Sequence, residues 1–187
     1  LGDRLRKLSL HGMNKDGWSR FKSNGKWSYD ISQLGYKYNL TDIASSIGIN
    51  QLRNVNKWHN RRLDISDQYY RGLQSIEGIK LPPKANDSSR DAKHLYIIQI
   101  RKKRWKISRD DLIVKLNEFG VGTSVHYRPV HMHSFYQKKY GFKPEDFVKS
   151  KNLYERAISI PMYPDLKNEE ILYIIDIMNN LWSKYSI

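Results

Sequence analysis

The chain has 187 residues, of which 39% are hydrophobic and 28% are charged, so it can form a folded domain with a modest core. It contains no cysteine, which excludes disulfide frameworks and thiolate metal sites and fits a reducing cytoplasm, the expected location. A net charge of +14 favours anionic partners, and no apolar run is long enough to predict a membrane span.

The first forty residues are predicted to combine a short helix with a long loop. Leucines among basic residues predict a helix within residues 1–10 that runs into an extended end. Residues 11–30 are rich in glycine, asparagine, serine and tryptophan, which predicts a long loop. Its large aromatic residues are expected to anchor the loop by burial, with stacking on a ligand base as the alternative. These residues are Trp18, Phe21, Trp27 and Tyr29.

Residues 35–48 mark the change from loop to helix. Asn39 and Thr41 are short polar residues that can cap a helix start, and Asp42 suits the first turn. Free N–H groups at such a start can bind an anion. Apolar residues then recur for more than thirty positions, which predicts a long helix ending near Gly72.

The remaining residues alternate strand and helix patterns. Residues 86–89 are a predicted polar loop, and the predicted strands are residues 94–100, 121–127 and 158–160. The first predicted helix begins at a capping box formed by Ser108 and Asp111 and ends at Gly120. Two further helices are predicted at residues 147–157 and 168–185. The buried side of the first of these helices is expected to be lined by Leu112, Ile113, Leu116 and Phe119. One small sheet packed with helices is an α+β two-layer domain.

Three histidines, His126, His131 and His133, follow the second of these strands, together with Tyr127 and Arg128. Loops after strands commonly carry binding residues. The spacing matches no zinc pattern and lacks a nearby carboxylate or cysteine, so no metal is predicted. A cleft that receives a phosphate or sugar hydroxyls is favoured, with surface histidines of no function as the alternative.

Four segments, in this order, resemble the second half of the DegT/DnrJ/EryC1/StrS aminotransferases. They are His11-Gly12-Met13-Asn14-Lys15-Asp16-Gly17-Trp18, Gly35-Tyr36-Lys37-Tyr38-Asn39-Leu40-Thr41-Asp42-Ile43, Gly120-Val121-Gly122-Thr123-Ser124-Val125-His126-Tyr127-Arg128-Pro129-Val130-His131 and Ser159-Ile160-Pro161-Met162-Tyr163-Pro164. The resemblance extends over nearly the whole chain and is nearest to the branch that makes 4-amino-4-deoxy sugars for bacterial surface polysaccharides.

This resemblance implies a pyridoxal-phosphate enzyme of fold type I that aminates a keto group of a nucleotide-linked sugar, with an amino donor that is commonly glutamate. Residues 1–40 would be the remnant of the large cofactor-binding domain, and residues 41–187 the small C-terminal domain. The family's Schiff-base lysine lies upstream of the His-Gly-Met segment. No catalytic residue is therefore assigned, and this segment alone is expected to be inactive.

The resemblance also implies site residues. Asn39 matches an asparagine that reaches the cofactor phosphate in the neighbouring subunit of a homodimer. Some relatives place this asparagine two positions earlier, where this chain has Lys37. His131 matches a position near the substrate, and His126, Tyr127 and Arg128 flank it, so these four are predicted to bind substrate.

Two other functions remain open at this stage. The charge, thirteen tyrosines and five tryptophans suit a basic nucleic-acid-binding module, although no recognition motif supports one and specific binding is not expected. The compact basic block at residues 101–104 is interpreted as a solvated turn. An interaction domain left by gene splitting is the third possibility.

Overall fold

The computed structural model describes residues 1–13, 30–84 and 90–187. These residues form two compact units, Leu1–Asn54 and Val55–Ile187. The predicted domain boundary at residue 40 stays a prediction. The predicted loop anchors and the predicted polar loop at residues 86–89 lie outside the described residues. The anchors are Trp18, Phe21, Trp27 and Tyr29.

The first unit contains one short helix, α1 (Gly2–Ser9), followed by extended chain. Leu10 forms an antiparallel bridge with Lys37, so the helix runs into an extended end as predicted. No residue of α1 is buried. Among the described residues, α1 is therefore joined to the segment at residues 36–38 by backbone hydrogen bonds rather than by an apolar core.

The long helix α2 (Asp42–Leu73) has 32 residues and contains the boundary between the two units. Its length agrees with the apolar periodicity of the sequence. Ile65, Tyr69 and Leu73 in its last turns are fully buried. Apolar residues in its first half are exposed instead, including Ile43 at 77% and Leu52 at 72%. Only the second half of α2 thus contributes to the described core.

A three-stranded antiparallel sheet lies in the second unit, in the order β1 (Ile79–Lys80), β2 (Tyr96–Ile100) and β3 (Ala157–Ile160). Ile79 pairs with Ile100. Tyr96 pairs with Ile160. Every residue of β3 is buried, including the polar Ser159.

The strand predicted at residues 121–127 is absent from this part of the chain. Only Ser124 pairs with β3, through one bridge to Ser159. Gly120 has a left-handed φ of 74°, and Gly122 follows two residues later. Glycines weaken a strand because they add backbone entropy and no side-chain packing. The segment consequently touches the free edge of β3 at one residue and then departs as a loop.

Helix α3 (Arg109–Glu118) begins with the predicted capping box of Ser108 and Asp111. Leu112 and Leu116 are buried as predicted. The predicted burial of Phe119 is wrong, because it is the C-cap residue and is 46% exposed. At the C-cap the backbone leaves the helical path, so this side chain no longer follows the buried face.

Three further helices are α4 (Ser134–Tyr140), α5 (Val148–Tyr154) and α6 (Asn168–Tyr185). The bounds of α6 agree with the prediction. The helix predicted at residues 147–157 is shorter. Phe147 ends the preceding 3-10 turn Pro144–Phe147, and Ala157 begins β3 because it pairs with Gln99.

One apolar core joins the second half of α2, the sheet, α3 and α6, which gives the predicted α+β architecture. Two tryptophans, Trp105 and Trp182, pack together in this core. The indole N–H of Trp105 donates to the carbonyl of Gly78 at 2.8 Å, and the ring packs edge-on against Trp182. A Cβ atom at Gly78 would lie 2.1 Å from Trp182, so only glycine fits there. Within the described ranges, no helix is long and apolar enough to cross a membrane.

Candidate functional site

The segment before α2 is fixed by close contact between two glycines. A Cβ atom on Gly35 would lie 2.2 Å from the backbone nitrogen of Gly12. One on Gly12 would lie 1.8 Å from the carbonyl oxygen of Gln33. Neither position can hold a larger residue without a shift of the backbone. The two glycines therefore allow the turn at residues 11–12 to lie directly against the extended segment at residues 33–37.

Backbone hydrogen bonds continue this pairing toward Asn39. The N–H of Tyr36 donates to the carbonyl of Leu8 at 2.7 Å, and the N–H of Tyr38 donates to the carbonyl of Ser9 at 2.8 Å. The rings of Tyr36 and Tyr38 stack with centroids 5.0 Å apart, and both side chains are exposed. An ordered backbone therefore presents a flat aromatic surface next to Asn39.

Thr41, rather than Asn39, caps helix α2. The Thr41 Oγ1 atom accepts a hydrogen bond from the N–H of Ala44 at 3.3 Å. The amide of Asn39 is exposed and has no hydrogen-bond partner among the described residues. Lys37 is also exposed, and its ammonium has no carboxylate partner in the same ranges. The side chains of both predicted phosphate donors thus make no hydrogen bond or ion pair with the described residues.

His126 is held by the last strand of the sheet. Its Nδ1 atom lies 2.8 Å from the hydroxyl oxygen of Ser159, which is 5% exposed. The His126 and Tyr127 rings meet edge-to-face at 4.7 Å, and Tyr127 is 74% exposed. The structure therefore brings a fixed imidazole and an exposed phenol together at one edge of β3.

Arg128 makes hydrogen bonds within the loop that follows Tyr127. Its guanidinium donates to the carbonyl of Met132 at 2.9 Å, and the Nε2 atom of His133 lies 3.3 Å from the carbonyl of Arg128. The Arg128 side chain remains exposed. These contacts set the path of the loop and leave the remaining N–H groups of the guanidinium able to bind an anion.

His131 differs from the other predicted substrate residues in its burial, at 6% exposure. Its ring contacts Phe147 at 4.7 Å, and its Nε2 atom lies 3.4 Å from the carbonyl of Pro144. These contacts join the loop to the 3-10 turn Pro144–Phe147 and give His131 a packing role. Direct contact of His131 with a substrate stays a prediction.

The three histidines of this loop have three different neighbours, namely Ser159 for His126, Pro144 for His131 and Arg128 for His133. Across residues 1–13, 30–84 and 90–187, no group of three or more histidines or carboxylates is arranged to hold a metal ion. Asn39 belongs to the first unit and the histidine loop to the second, so each is described separately.

Ser159 is the site residue that sequence reasoning missed. It lies in a strand whose four residues are all buried, so its hydroxyl needs a polar partner. The sequence offered two indications, a polar residue between two isoleucines and its place at the start of the fourth segment that carries the family resemblance, but neither assigned it a role. Its partner, His126, lies 33 residues earlier in the chain, so local sequence could not identify it.

Comparison with known proteins gives the chain a family context. The model of the DegT/DnrJ/EryC1/StrS aminotransferase family matches residues 1–179. The spore coat polysaccharide biosynthesis protein SpsC of Bacillus subtilis (strain 168) is 38% identical over 182 residues. That alignment covers 97% of this chain and 46% of SpsC. The chain therefore spans about half the length of the curated relatives it matches.

Solved structures show the same relationship. A putative sugar aminotransferase, Spr1654 from Streptococcus pneumoniae, in its PMP form has a TM-score of 0.78 and 32% identity, covering 95% of this chain and 44% of that one. Helicobacter pylori PseC, an aminotransferase involved in the biosynthesis of pseudoaminic acid, has a TM-score of 0.76. It is 20% identical, with 97% of this chain and 46% of PseC covered, and shows the shared fold alone.

Proposed function

Because the chain belongs to the DegT/DnrJ/EryC1/StrS aminotransferase family, we propose that it forms the C-terminal part of a pyridoxal-phosphate-dependent aminotransferase. The whole enzyme converts a keto group of a nucleotide-linked sugar to an amine for surface-polysaccharide biosynthesis. The family match over residues 1–179 carries this proposal. The name of SpsC and the PLP and PMP forms of Spr1654 support the sugar and the cofactor.

Asn39 fits the phosphate end of the cofactor. Its amide is exposed and unpaired among the described residues, and it lies two positions before the Thr41 cap of α2. An amide N–H and the positive end of a helix dipole both favour a phosphate. Asp42 in the first turn has the opposite effect, so a neutral donor alone would bind weakly. Lys37 supplies a second, cationic donor in the same segment.

When bound, pyridoxal phosphate would carry the amino group from the donor, glutamate, to the sugar, and its ring would accept electrons during the transfer. The residues of this chain bind the cofactor and the substrate and hold them in position. Ser159 fixes the imidazole of His126, and Tyr127 offers an exposed ring and hydroxyl. Arg128 adds positive charge for the diphosphate of a nucleotide sugar. His131 positions this loop through its contact with Phe147.

The lysine that holds the cofactor and the aspartate that pairs with its ring nitrogen belong to the other half of the enzyme. Residues 1–40 are then the end of the large domain and residues 41–187 the small domain. The working enzyme is a cytoplasmic homodimer, in which the exposed Tyr36 and Tyr38 suit a subunit interface.

An activity assay tests the proposal directly. The full-length protein that carries this chain is incubated with pyridoxal phosphate, glutamate and a set of nucleotide-linked keto sugars, and products are identified by mass spectrometry. We expect an aminated sugar and 2-oxoglutarate in equal amounts. The 187-residue chain is the matched control. After treatment with borohydride, it should carry no cofactor covalently attached to a lysine. Failure of the full-length protein to aminate any of these sugars would refute the substrate class.

A further inference from the structure

A cleft of about 500 Å³ lies in the second unit beside the turn that follows β3. Its floor is apolar, because the lining residues Val121, Leu166 and Ile174 are no more than 5% exposed. The other lining residues are two glycines, a proline, two tyrosines and one glutamate. They are Gly120, Gly122, Pro161, Tyr163, Tyr173 and Glu170.

The cleft does not contain the side chains assigned to the cofactor and the substrate. Ser124 and Ser159 form an antiparallel bridge, so residues before Ser124 lie beside residues after Ser159. Gly122 and Pro161 are such residues, and both line the cleft. His126 follows Ser124, so its backbone continues on the other side of this bridge. The lining is therefore a different surface of the same unit.

The charge of the cleft is opposite to that of the chain. The net charge of the chain is +14, yet the described lining contains no lysine, arginine or histidine. Its one charged residue is Glu170, whose Oε2 atom accepts the backbone N–H of Lys167 at 2.7 Å. Glu170 makes no ion pair with the described residues, so its charge is not offset. The lining thus favours a cation and disfavours a phosphate.

Tyr163 and Tyr173 add two aromatic rings to this carboxylate. Both are about half exposed, at 45% and 49%. The hydroxyl of Tyr173 donates to the carbonyl of Phe119 at 3.0 Å, which holds its ring in place. The hydroxyl of Tyr163 has no partner among the described residues and can bond to a ligand. Aromatic faces attract ammonium groups and pack against apolar ring surfaces.

Tyr69 shows that Glu170 and Tyr163 lie at the same end of the cleft. Its hydroxyl donates to the carbonyl of Pro161, a lining residue, at 2.9 Å. Burial raises the pKa of this phenol, and the nearby Tyr163 and Glu170 raise it further. Because electrostatic influence falls with distance, both groups lie close to Pro161. A ligand beside Pro161 would therefore meet the carboxylate and a phenol together.

We propose that the cleft bordered by Glu170, Tyr163 and Tyr173 binds the ammonium-bearing ring of an amino sugar. The ammonium group faces the Glu170 carboxylate, and the ring packs between the tyrosines and the apolar floor. A volume of about 500 Å³ accommodates one hexose. The preference for a cation follows from the lining alone. The choice of a sugar rests on the proposed function, whose product carries such an ammonium group.

The test titrates the 187-residue chain with glucosamine at mildly acidic pH and follows binding by NMR. No cofactor is added, so the amine cannot react with it. Glucose and N-acetylglucosamine have the same ring without a charged amine and are the matched controls. We expect each control to bind at least about tenfold more weakly, because a charge-assisted contact is lost. Absence of glucosamine binding, or equal binding of glucose, would overturn the proposal.

Two neighbouring glutamates provide matched variants. Glu170→Gln keeps an acceptor for the capping box of α6 and removes the charge, so the thermal midpoint should change little. Glucosamine should bind this variant about tenfold to a hundredfold more weakly. Glu169→Gln removes a charge from the same helical turn but outside the lining, and it should bind normally. Unchanged glucosamine affinity in Glu170→Gln would contradict the proposed contact.

A third variant tests the cleft by filling it. A Cβ atom on Gly122 would have no atom within 4 Å, so Gly122→Val adds its side chain to open space in the lining. This variant should fold and should bind glucosamine at least about tenfold more weakly. Normal binding would place the ligand elsewhere and refute the proposal. None of these measurements requires amino transfer, so their failure and failure of the proposed function are distinguished.

Discussion

The Nδ1 atom of His126 lies 2.8 Å from the hydroxyl oxygen of Ser159, so a side chain of the histidine loop is fixed by the sheet itself. Ser159 also exchanges two backbone hydrogen bonds with Ser124, which lies at the start of the same loop. The loop is thus attached to β3 by both backbone and side chain. This attachment gives His126 a defined position before any ligand arrives.

Ser159→Ala should disturb this position without disrupting the fold. Loss of one hydrogen bond should lower the free energy of unfolding by about 1 kcal/mol. In the full-length enzyme, KM for the nucleotide sugar should rise about twofold to tenfold if His126 contacts the substrate. Ser46→Ala is the control, since the Ser46 hydroxyl bonds only to the carbonyl of Ile43 on an exposed helix. An unchanged KM in Ser159→Ala would argue against a substrate role for His126.

Asn39 and Thr41 provide a matched pair for the phosphate hypothesis. Asn39→Ala in the full-length enzyme should weaken cofactor binding by roughly tenfold to a hundredfold and leave the thermal midpoint nearly unchanged. Thr41→Ala removes the cap of α2 and should cost about 1 kcal/mol of stability with little effect on cofactor affinity. Cofactor dissociation constants and melting curves of both variants decide the matter. A lower midpoint with unaltered cofactor affinity in Asn39→Ala would refute the phosphate contact.

Gly35 and Gly48 should respond to alanine in opposite directions. Gly35→Ala forces a Cβ atom against the backbone of Gly12 and should destabilise the first unit by about 1–3 kcal/mol. Gly48 lies within α2 with no atom within 4 Å of an added Cβ, so Gly48→Ala should stabilise the helix by about 0.5–1 kcal/mol. Chemical denaturation of both variants measures the difference. Equal stability of Gly35→Ala and the unmodified chain would contradict the described glycine contact.

The acid stability of α3 should depend on Asp111. The Ser108 hydroxyl and backbone N–H donate to this carboxylate and lower its pKa. Its stabilising contribution is therefore complete above the ordinary aspartate pKa of about 3.9 and is lost as the pH falls through the lowered value in the folded chain. Asp111→Asn should be less stable than the unmodified chain near neutral pH, and the two should converge in acid. A constant difference in unfolding free energy at every pH would contradict this linkage.

Nucleic-acid binding should be weak and dependent on salt. The basic block at residues 101–104 lies in a turn between β2 and α3, where Lys102 pairs with Glu155 at 2.7 Å and Arg104 with Glu77 at 3.5 Å. Half of its charge is thereby offset. Binding to DNA or RNA should fade near physiological salt and show no sequence preference, as fluorescence anisotropy can measure. Sequence-dependent binding that persists above that concentration would contradict this prediction.

Helices with a repeating apolar pattern were predicted well because the residues that specify them are close together in the sequence. Helices α2 and α6 follow apolar repeats that extend over many turns, and the capping box of α3 requires only residues three positions apart. The strand at residues 121–127 was predicted wrongly because a strand needs a partner edge, which the local pattern does not contain. Here that edge, β3, is contacted only through Ser124.

The site was less predictable than the fold. Both Asn39 and Thr41 are residue types that cap helices, and only the backbone geometry assigns the cap to Thr41. His131 contacts Phe147, which is brought near by helix α4 and the 3-10 turn that follows it.

The edge-to-face contact of Trp105 and Trp182 provides the chain with its own optical reporter. The two indoles are held 5.0 Å apart at 65°, one just after β2 and the other near the end of α6. Such fixed asymmetric packing produces near-ultraviolet circular dichroism, which disappears when side chains lose their order although the helices persist. The attachment of the last helix to the sheet can therefore be followed spectroscopically in the unlabelled protein.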